Sequence, residues 1–321
     1  MSAKRRSVVV LLLLSPILYA KASSPAAGPA PQIFAPGVIS GPGNDGSPTF
    51  APDGKTLFFT RSSTHLSVIL ESHQLGGQWS KPVLASFSGV WPDSSPAMSP
   101  DGSYLVFQST RPAAPLATTP EPGKPIPGLV SNLWRVDRVG NGWSEPKRLP
   151  DTVNIGHSIW KPSVQADGTV YLTFIDDKGN KRLYSSRFVD GLYQAAQPLP
   201  FSDGATSDVD PEVAPDGSFL LFCSAGRAPH DGKDHLYLVR KEAEGWGPVS
   251  QIRYDGDEKP YGYSTDDEPH LGPDHRTIYF SSDRVVTVHF PRTRIEAQQD
   301  VERLEMWDNS NNNVWTIPLP D

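Results

Sequence analysis

The sequence predicts an all-β fold, a β-propeller of four-stranded antiparallel blades, and three observations carry that prediction. A proline followed by an Asp-Gly-type turn and a short apolar strand recurs five times. The copies run from Pro48 to Pro52-Asp53-Gly54, Pro96 to Pro100-Asp101-Gly102, Pro162 to Ala166-Asp167-Gly168, Pro211 to Pro215-Asp216-Gly217, and Pro269 to Pro273-Asp274-His275. Self-similarity at roughly 40–50 residues marks solenoids and propellers. The chain also carries 33 prolines and 27 glycines with almost no helical periodicity, which suits short strands joined by tight turns. Finally, each copy offers four strands with turn signals between them, the content of one propeller blade.

The elements follow in chain order. Lys4-Arg5-Arg6, the apolar run from Val8 towards Ala20 and the small-residue exit Ala20-Lys21-Ala22 read as a signal peptide over residues 1–22. The run falls short of the ~20 apolar residues of a membrane span. No later stretch is long enough either, so no membrane insertion is expected after cleavage. Residues 23–32 read as a flexible linker and 33–321 as a single propeller domain. Cleavage lowers the net charge of −7 by the four charges of Lys4, Arg5, Arg6 and Lys21, to about −11. Such a balance argues against nucleic acid, whose binding rests on Lys and Arg neutralising phosphate. Cys223 is the single cysteine, expected as a small buried residue in a strand.

Within the first unit, Pro48 leads a short strand where a missing N–H is tolerated. Pro52-Asp53-Gly54 is a turn in which Pro presets φ, Asp bonds its own backbone and Gly accepts positive φ. Leu57 to Phe59 form the second strand and Ser67 to Ser72 the third. Gly76-Gly77-Gln78-Trp79-Ser80 is a hairpin, and Pro82-Val83-Leu84 leads an edge strand. The Trp of this hairpin recurs as Trp143 and Trp246 and is expected to pack between blades.

These units resemble the Pro-Asp-Gly, or WD40-like, propeller repeats of the TolB family of periplasmic proteins and of the prolyl oligopeptidases. The resemblance spans the chain after the signal peptide. It implies the fold and says little about activity. Two departures bear on function: the repeats begin almost directly after the signal, where TolB has an α/β domain, and no peptidase domain with a G-x-S-x-G elbow follows.

The fifth unit ends after its third strand, at Trp315 to Leu319. Ile33 to Ile39 reads as its missing fourth strand, closing the ring and removing its exposed edge. That gives five blades. A six-bladed ring is the alternative and requires a degenerate blade that the sequence does not display.

Candidate site residues come from the loops leading into each inner strand, which share a face with the loops between strands two and three. Asp45, Asp93, Asp208 and Asp266 begin four of these lead-ins, and Trp160 with Lys161 replaces the pattern in the third. His157 and His270 lie beside the repeat prolines. These eight are the candidate binding residues. The competing expectation for the carboxylates is structural, with Arg61, Arg111, Arg227 and Arg284 as partners, because a repeated residue usually serves the repeat. The long excursions from Pro112, Gly226 and Val285 fall on the same face. The last contains helix formers from Arg294 to Met306, with Ile295, Val301 and Leu304 roughly on one side. Recognition usually lives in loops on a rigid scaffold.

The expected function is therefore a non-catalytic binding or scaffold module of the cell envelope, periplasmic or secreted and monomeric, with a protein or glycan ligand at the channel mouth. The alternative is a carbohydrate-active hydrolase or lyase using Asp93, Asp208 and Asp266, because glycosidases place two carboxylates across a site. No cofactor is expected. A divalent cation on Asp255, Asp257, Asp266 and Asp267 is the weaker option, since hard cations take several carboxylate oxygens but the spacing is not that of an EF-hand.

Overall fold

The structure, a computed structural model, describes residues 27–114, 130–156, 158–255 and 264–320. Residues 1–22, expected as a signal peptide, and His157 and Asp257 lie outside the described residues. Five antiparallel sheets form five blades. Their inner strands are Asn44–Phe50, Asp93–Met98, Ile159–Val164, Asp208–Val213 and Asp266–Leu271. Each inner strand pairs with a second, and the second with a third. The outer strands are short and proline-flanked, as at Val83–Leu84 and Lys147–Arg148, except Gly245–Gln251 in the fourth blade.

The turns behave as their residues dictate. Asp53, Asp101, Asp167, Asp216 and Asp274 each accept a backbone N–H two residues on, at 2.8–3.0 Å. Gly54, Gly102, Gly168 and Gly217 take φ between 65° and 86°, and His275 takes 54° in the copy that lacks the glycine. At Gly102 a Cβ would also lie 2.9 Å from the Pro52 ring, so neighbouring turns touch where a side chain would not fit.

The ring closes as its ends predict, over a shorter ladder. Gln32–Ile33 pairs with Thr316 and Trp315 of the last blade, and the Phe34 N–H continues the ladder to Val314 O at 2.8 Å. Ala35 then turns at a φ of 42°, so Val38 and Ile39 leave the sheet. Ile39 is fully buried with Phe50, Leu57, Phe59 and Val314, which fastens the chain start to the first blade.

The hairpin tryptophans fill the gaps between blades. Trp143 of the second blade meets Phe58 of the first at 5.8 Å, and Trp246 meets Phe201 at 5.6 Å. The helix Arg294–Met306 forms with a Thr293–Glu296 capping box. None of its residues is buried, so the expected apolar side is uncovered, with Ile295 72% and Leu304 54% exposed.

The described ends of the long excursions share one face. Ser131 bonds Ile159 O, Asp234 O takes the Asp266 N–H, and Asn312 O takes the Asp45 N–H. Each excursion thus ends against the lead-in of the following blade. This is the loop face; the Pro-Asp-Gly turns form the opposite, turn face.

Candidate functional site

Every inner strand carries a β-bulge at the equivalent place, after Gly46, Ser94, Trp160, Val209 and Asp267. The residue that follows, just before the repeat proline, has positive φ: Ser47 46°, Ser95 50°, Lys161 33°, Asp210 56° and Glu268 49°. Non-glycine residues rarely adopt this region, at a cost of about 1–3 kcal/mol each. The neighbouring blade holds them there. The N–H groups of Ser47, Ser95, Lys161 and Asp210 are accepted by Ser281, Thr60, Gln108 and Thr173 of the preceding blade at 2.8–3.4 Å. The buried lone cysteine lies beside this bulge in the fourth blade, where Cys223 Sγ–H donates to Asp210 Oδ2 at 3.5 Å and Val209 O at 3.7 Å.

The bulge decides which residues reach the axis. Ser47 Oγ meets Ser95 Oγ at 3.4 Å. Lys161, 2% exposed, sends Nζ to Pro269 O at 2.9 Å. That contact joins the third blade to the fifth, past the fourth, and so crosses the channel. Asp210 and Glu268 complete the ring, with Asp267 beside them.

The four lead-in carboxylates are elsewhere. Asp45, Asp93, Asp208 and Asp266 are at most 1% exposed and are gripped by Arg61, Arg111, Arg227 and Arg284 at 2.6–2.8 Å. Three of these arginines also bond a carbonyl of the preceding connection, Ile39 O, Phe87 O and Phe201 O, so each pair ties its loop shut. Arg284 instead reaches the Tyr254 hydroxyl at 3.0 Å. In the third blade Ile159 replaces the Asp and is fully buried in an apolar cluster with Ile155 and Phe174. The ion pair and the apolar plug are two solutions to one packing problem. Asp93, Asp208 and Asp266, the carboxylates of the alternative catalytic reading, are thus enclosed inside the blades, each held by its arginine.

The exposed chemistry of the loop-face mouth falls on half-buried residues of blades three to five: Trp160, Lys181, Asp210, Asp234, Asp267 and Glu268. Lys181 Nζ lies 5.3 Å from the Trp160 ring. Burial, and then the neighbouring Glu268 charge, push Asp210 up to about 6. Burial with Glu268 and Asp210 pushes Asp267 well above the carboxylate range. Asp267 Oδ1 is buried and accepts no hydrogen bond from the described residues. Asp255 is exposed and bonds Gly28 through its backbone, away from Asp266 and Asp267. Among the described residues no three carboxylate, imidazole or thiol groups converge as a metal site.

His270 does face the channel, but on the turn side. There Glu212 Oε2 lies 3.2 Å from His270 Nδ1 and accepts Ser163 Oγ–H at 2.9 Å. Burial disfavours the Glu212 charge, yet His270 and Lys161 outweigh it and hold the carboxyl below its usual range. Sequence reasoning missed Asp210, Glu212 and Glu268. The signal was available: they sit where the repeat varies, whereas the Asp shared by four of the five lead-ins serves the fold.

No family model matches the chain, and no curated protein matches it. Among solved structures, it is similar to a putative TolB from Agrobacterium tumefaciens, at 16% identity and a TM-score of 0.50, covering 87% of this chain and 92% of that one. It is also similar to TolB from Acinetobacter baumannii, at 14% identity and a TM-score of 0.46, covering 86% of this chain. The chain spans about half, 54%, of that protein's length. The catalytic domain of an α-L-arabinofuranosidase from Coprinopsis cinerea matches at 14% identity and a TM-score of 0.48, covering 91% of this chain and 97% of the other. At these identities the likeness concerns the fold.

Proposed function

We propose that this protein is an exported, non-catalytic binding module of the cell envelope that holds a protein segment or glycan at its loop-face mouth. The observation that supports it most is the one-sided placement of function-bearing groups. The described ends of all three long excursions lie at a mouth whose charged residues differ from blade to blade, while the repeated carboxylates are used up in holding loops closed. A rigid ring with a variable rim suits recognition. The test is capture of cross-linked partners from an envelope extract of the host. Trp160→Ala and Glu268→Gln are expected to lose the partner with the fold intact; unchanged capture by both contradicts the reading.

A second reading has its own observation. Asp210, pushed up to about 6, has the character of a general acid beside Asp267 and Glu268. A carbohydrate-active hydrolase or lyase would then use these carboxylates in place of Asp93, Asp208 and Asp266. Turnover of any member of a polysaccharide panel, abolished by Asp210→Asn, would favour it; no turnover across the panel retires it.

A further inference from the structure

One position sets the third blade apart. The second strand of every blade carries a phenylalanine. The residue directly across from it on the third strand is Leu70, Trp134, Tyr237 or Trp315 in four blades and Arg182 in the third. Phe59, Phe107, Phe222 and Phe280 are fully buried, whereas Phe174 is half-buried. In three of the other blades the arginine that grips the lead-in carboxylate also covers this ring, 5.1–5.6 Å from its centre. The third blade has no arginine there, because its second strand runs into the turn from Asp176 to Asn180. A cavity of about 350 Å³ stands against Phe174, walled by Tyr184, Arg182, Asn180 and the connection from Asp203 to Ala205. That volume suits a small molecule.

The cavity combines an aromatic floor with unspent polar groups. Phe174 and Tyr184 meet edge to face at 5.4 Å, and the Arg182 guanidinium lies 6.0 Å from the Tyr184 ring. Arg182 Nε–H donates to Ser202 O, which holds the side chain in place. The remaining N–H groups of its fork bond nothing among the described residues, and it forms no ion pair with them. Asp203 accepts the Ala205 N–H with Oδ1 at 2.9 Å and keeps Oδ2 as an acceptor. Asp176 is spent on its own turn, accepting the Lys178 and Asn180 N–H groups and Asn180 Nδ2. Trp160 and Lys181 alternate with Ile159 and Arg182 along their strands and so stand on the other side of this sheet. The cavity is therefore separate from the loop-face mouth.

The mixture of groups selects the ligand. An anion would meet Asp176 and Asp203, and a cation would meet Arg182, so like charges oppose both. A wholly apolar ligand would strip water from the guanidinium and return no hydrogen bond. A neutral sugar ring suits all the walls: its C–H side lies against the electron-rich aromatic faces, and its hydroxyls accept from one group and donate to another. We propose that this cavity is a rim site for one neutral pyranose residue, independent of the reading given for the mouth. Adjacent hydroxyls accept from the Arg182 fork and donate to Asp203 Oδ2, while the ring lies on Phe174 and Tyr184.

The experiment is a ligand-observed NMR titration of the full protein at about pH 6. The probes are the methyl β-pyranosides of glucose, galactose, mannose and xylose, with glucuronate as the anion and glucosamine as the cation. At least one neutral glycoside is expected to bind saturably and more tightly than either charged sugar. Arg182→Met, which restores an apolar residue across from the phenylalanine, should weaken it at least tenfold, as for the loss of hydrogen bonds to a charged group. Asp203→Asn, which keeps the contact to Ala205, should weaken it about fivefold on the same ground. No saturable binding of any neutral glycoside, binding of a charged sugar at equal or higher affinity, or unchanged affinity in either variant overturns the proposal. Loss of binding in Glu268→Gln beside its retention in Arg182→Met assigns the sugar to the mouth, which also overturns the proposal and leaves the reading of the mouth standing. If Arg182→Met does not fold, Asp203→Asn decides.

Discussion

In the Asp208–Arg227 pair the carboxylate is fully buried, the guanidinium is half-buried, and two contacts of 2.7–2.8 Å join them. Removing the buried partner of such a pair leaves a half-solvated guanidinium, at a cost of about 2–3 kcal/mol, below that of stranding a fully buried charge. Asp208→Ala is therefore expected to lower the urea unfolding free energy by about that amount. Ile159 supplies the internal comparison, because the third blade holds the same position with no charge at all. Asp210, two residues further on, behaves oppositely. Its carboxyl holds its proton more tightly in the folded state, rising from 3.8 to about 6. Between those values the native state carries the extra proton, so stability falls as pH rises through the window. Asp210→Asn should melt higher than the parent above pH 6, with the gain shrinking towards pH 4. Two aspartates in one lead-in thus have opposite effects, and only the bulge between them separates their roles. Nothing in Asp208-Val209-Asp210-Pro211 announces that bulge, since its positive φ is taken by Ser, Lys, Asp and Glu rather than by glycine. The side to which each residue points was for that reason illegible from alternation alone.

At the scale of the element, turn chemistry was fully legible. Each Pro-Asp-Gly string carries its own mechanism, and even the His275 copy keeps the same Asp contact. The closing strand was legible in kind but not in length. Its function falls as much on Phe34 as on the ladder: Phe34 meets Tyr279 at 5.0 Å, Trp79 at 6.0 Å and Phe50 at 6.2 Å, joining the first and last blades. Phe34→Ala should cost about 3 kcal/mol, the lower end for a large aromatic, since the residue is half-buried. The helix Arg294–Met306 is the converse case. Its boundaries were legible from helix formers, but the side that carries Ile295, Val301 and Leu304 covers nothing among the described residues. Replacing it with a short Gly-Ser linker that keeps Trp307 should move the melting free energy by less than about 0.5 kcal/mol, as for surface changes.

At the scale of the whole molecule, the ring brings together residues more than a hundred positions apart, as Lys161 and Pro269 illustrate. Repetition sets the architecture, and departures from repetition set the chemistry. The channel lining could not be read from any one copy, because it exists only where five inner strands meet. The copy-to-copy variation at the residue before each proline, however, pointed to it. The account rests on this division of labour, and paired substitutions test it most directly. Asp208→Asn and Glu268→Gln are compared for urea midpoint and for capture of the cross-linked envelope partner by folded protein. The account predicts that Asp208→Asn unfolds at lower urea and still captures the partner, while Glu268→Gln keeps its midpoint and captures none. A stable Asp208→Asn that fails to bind, beside a Glu268→Gln that binds normally, would contradict it.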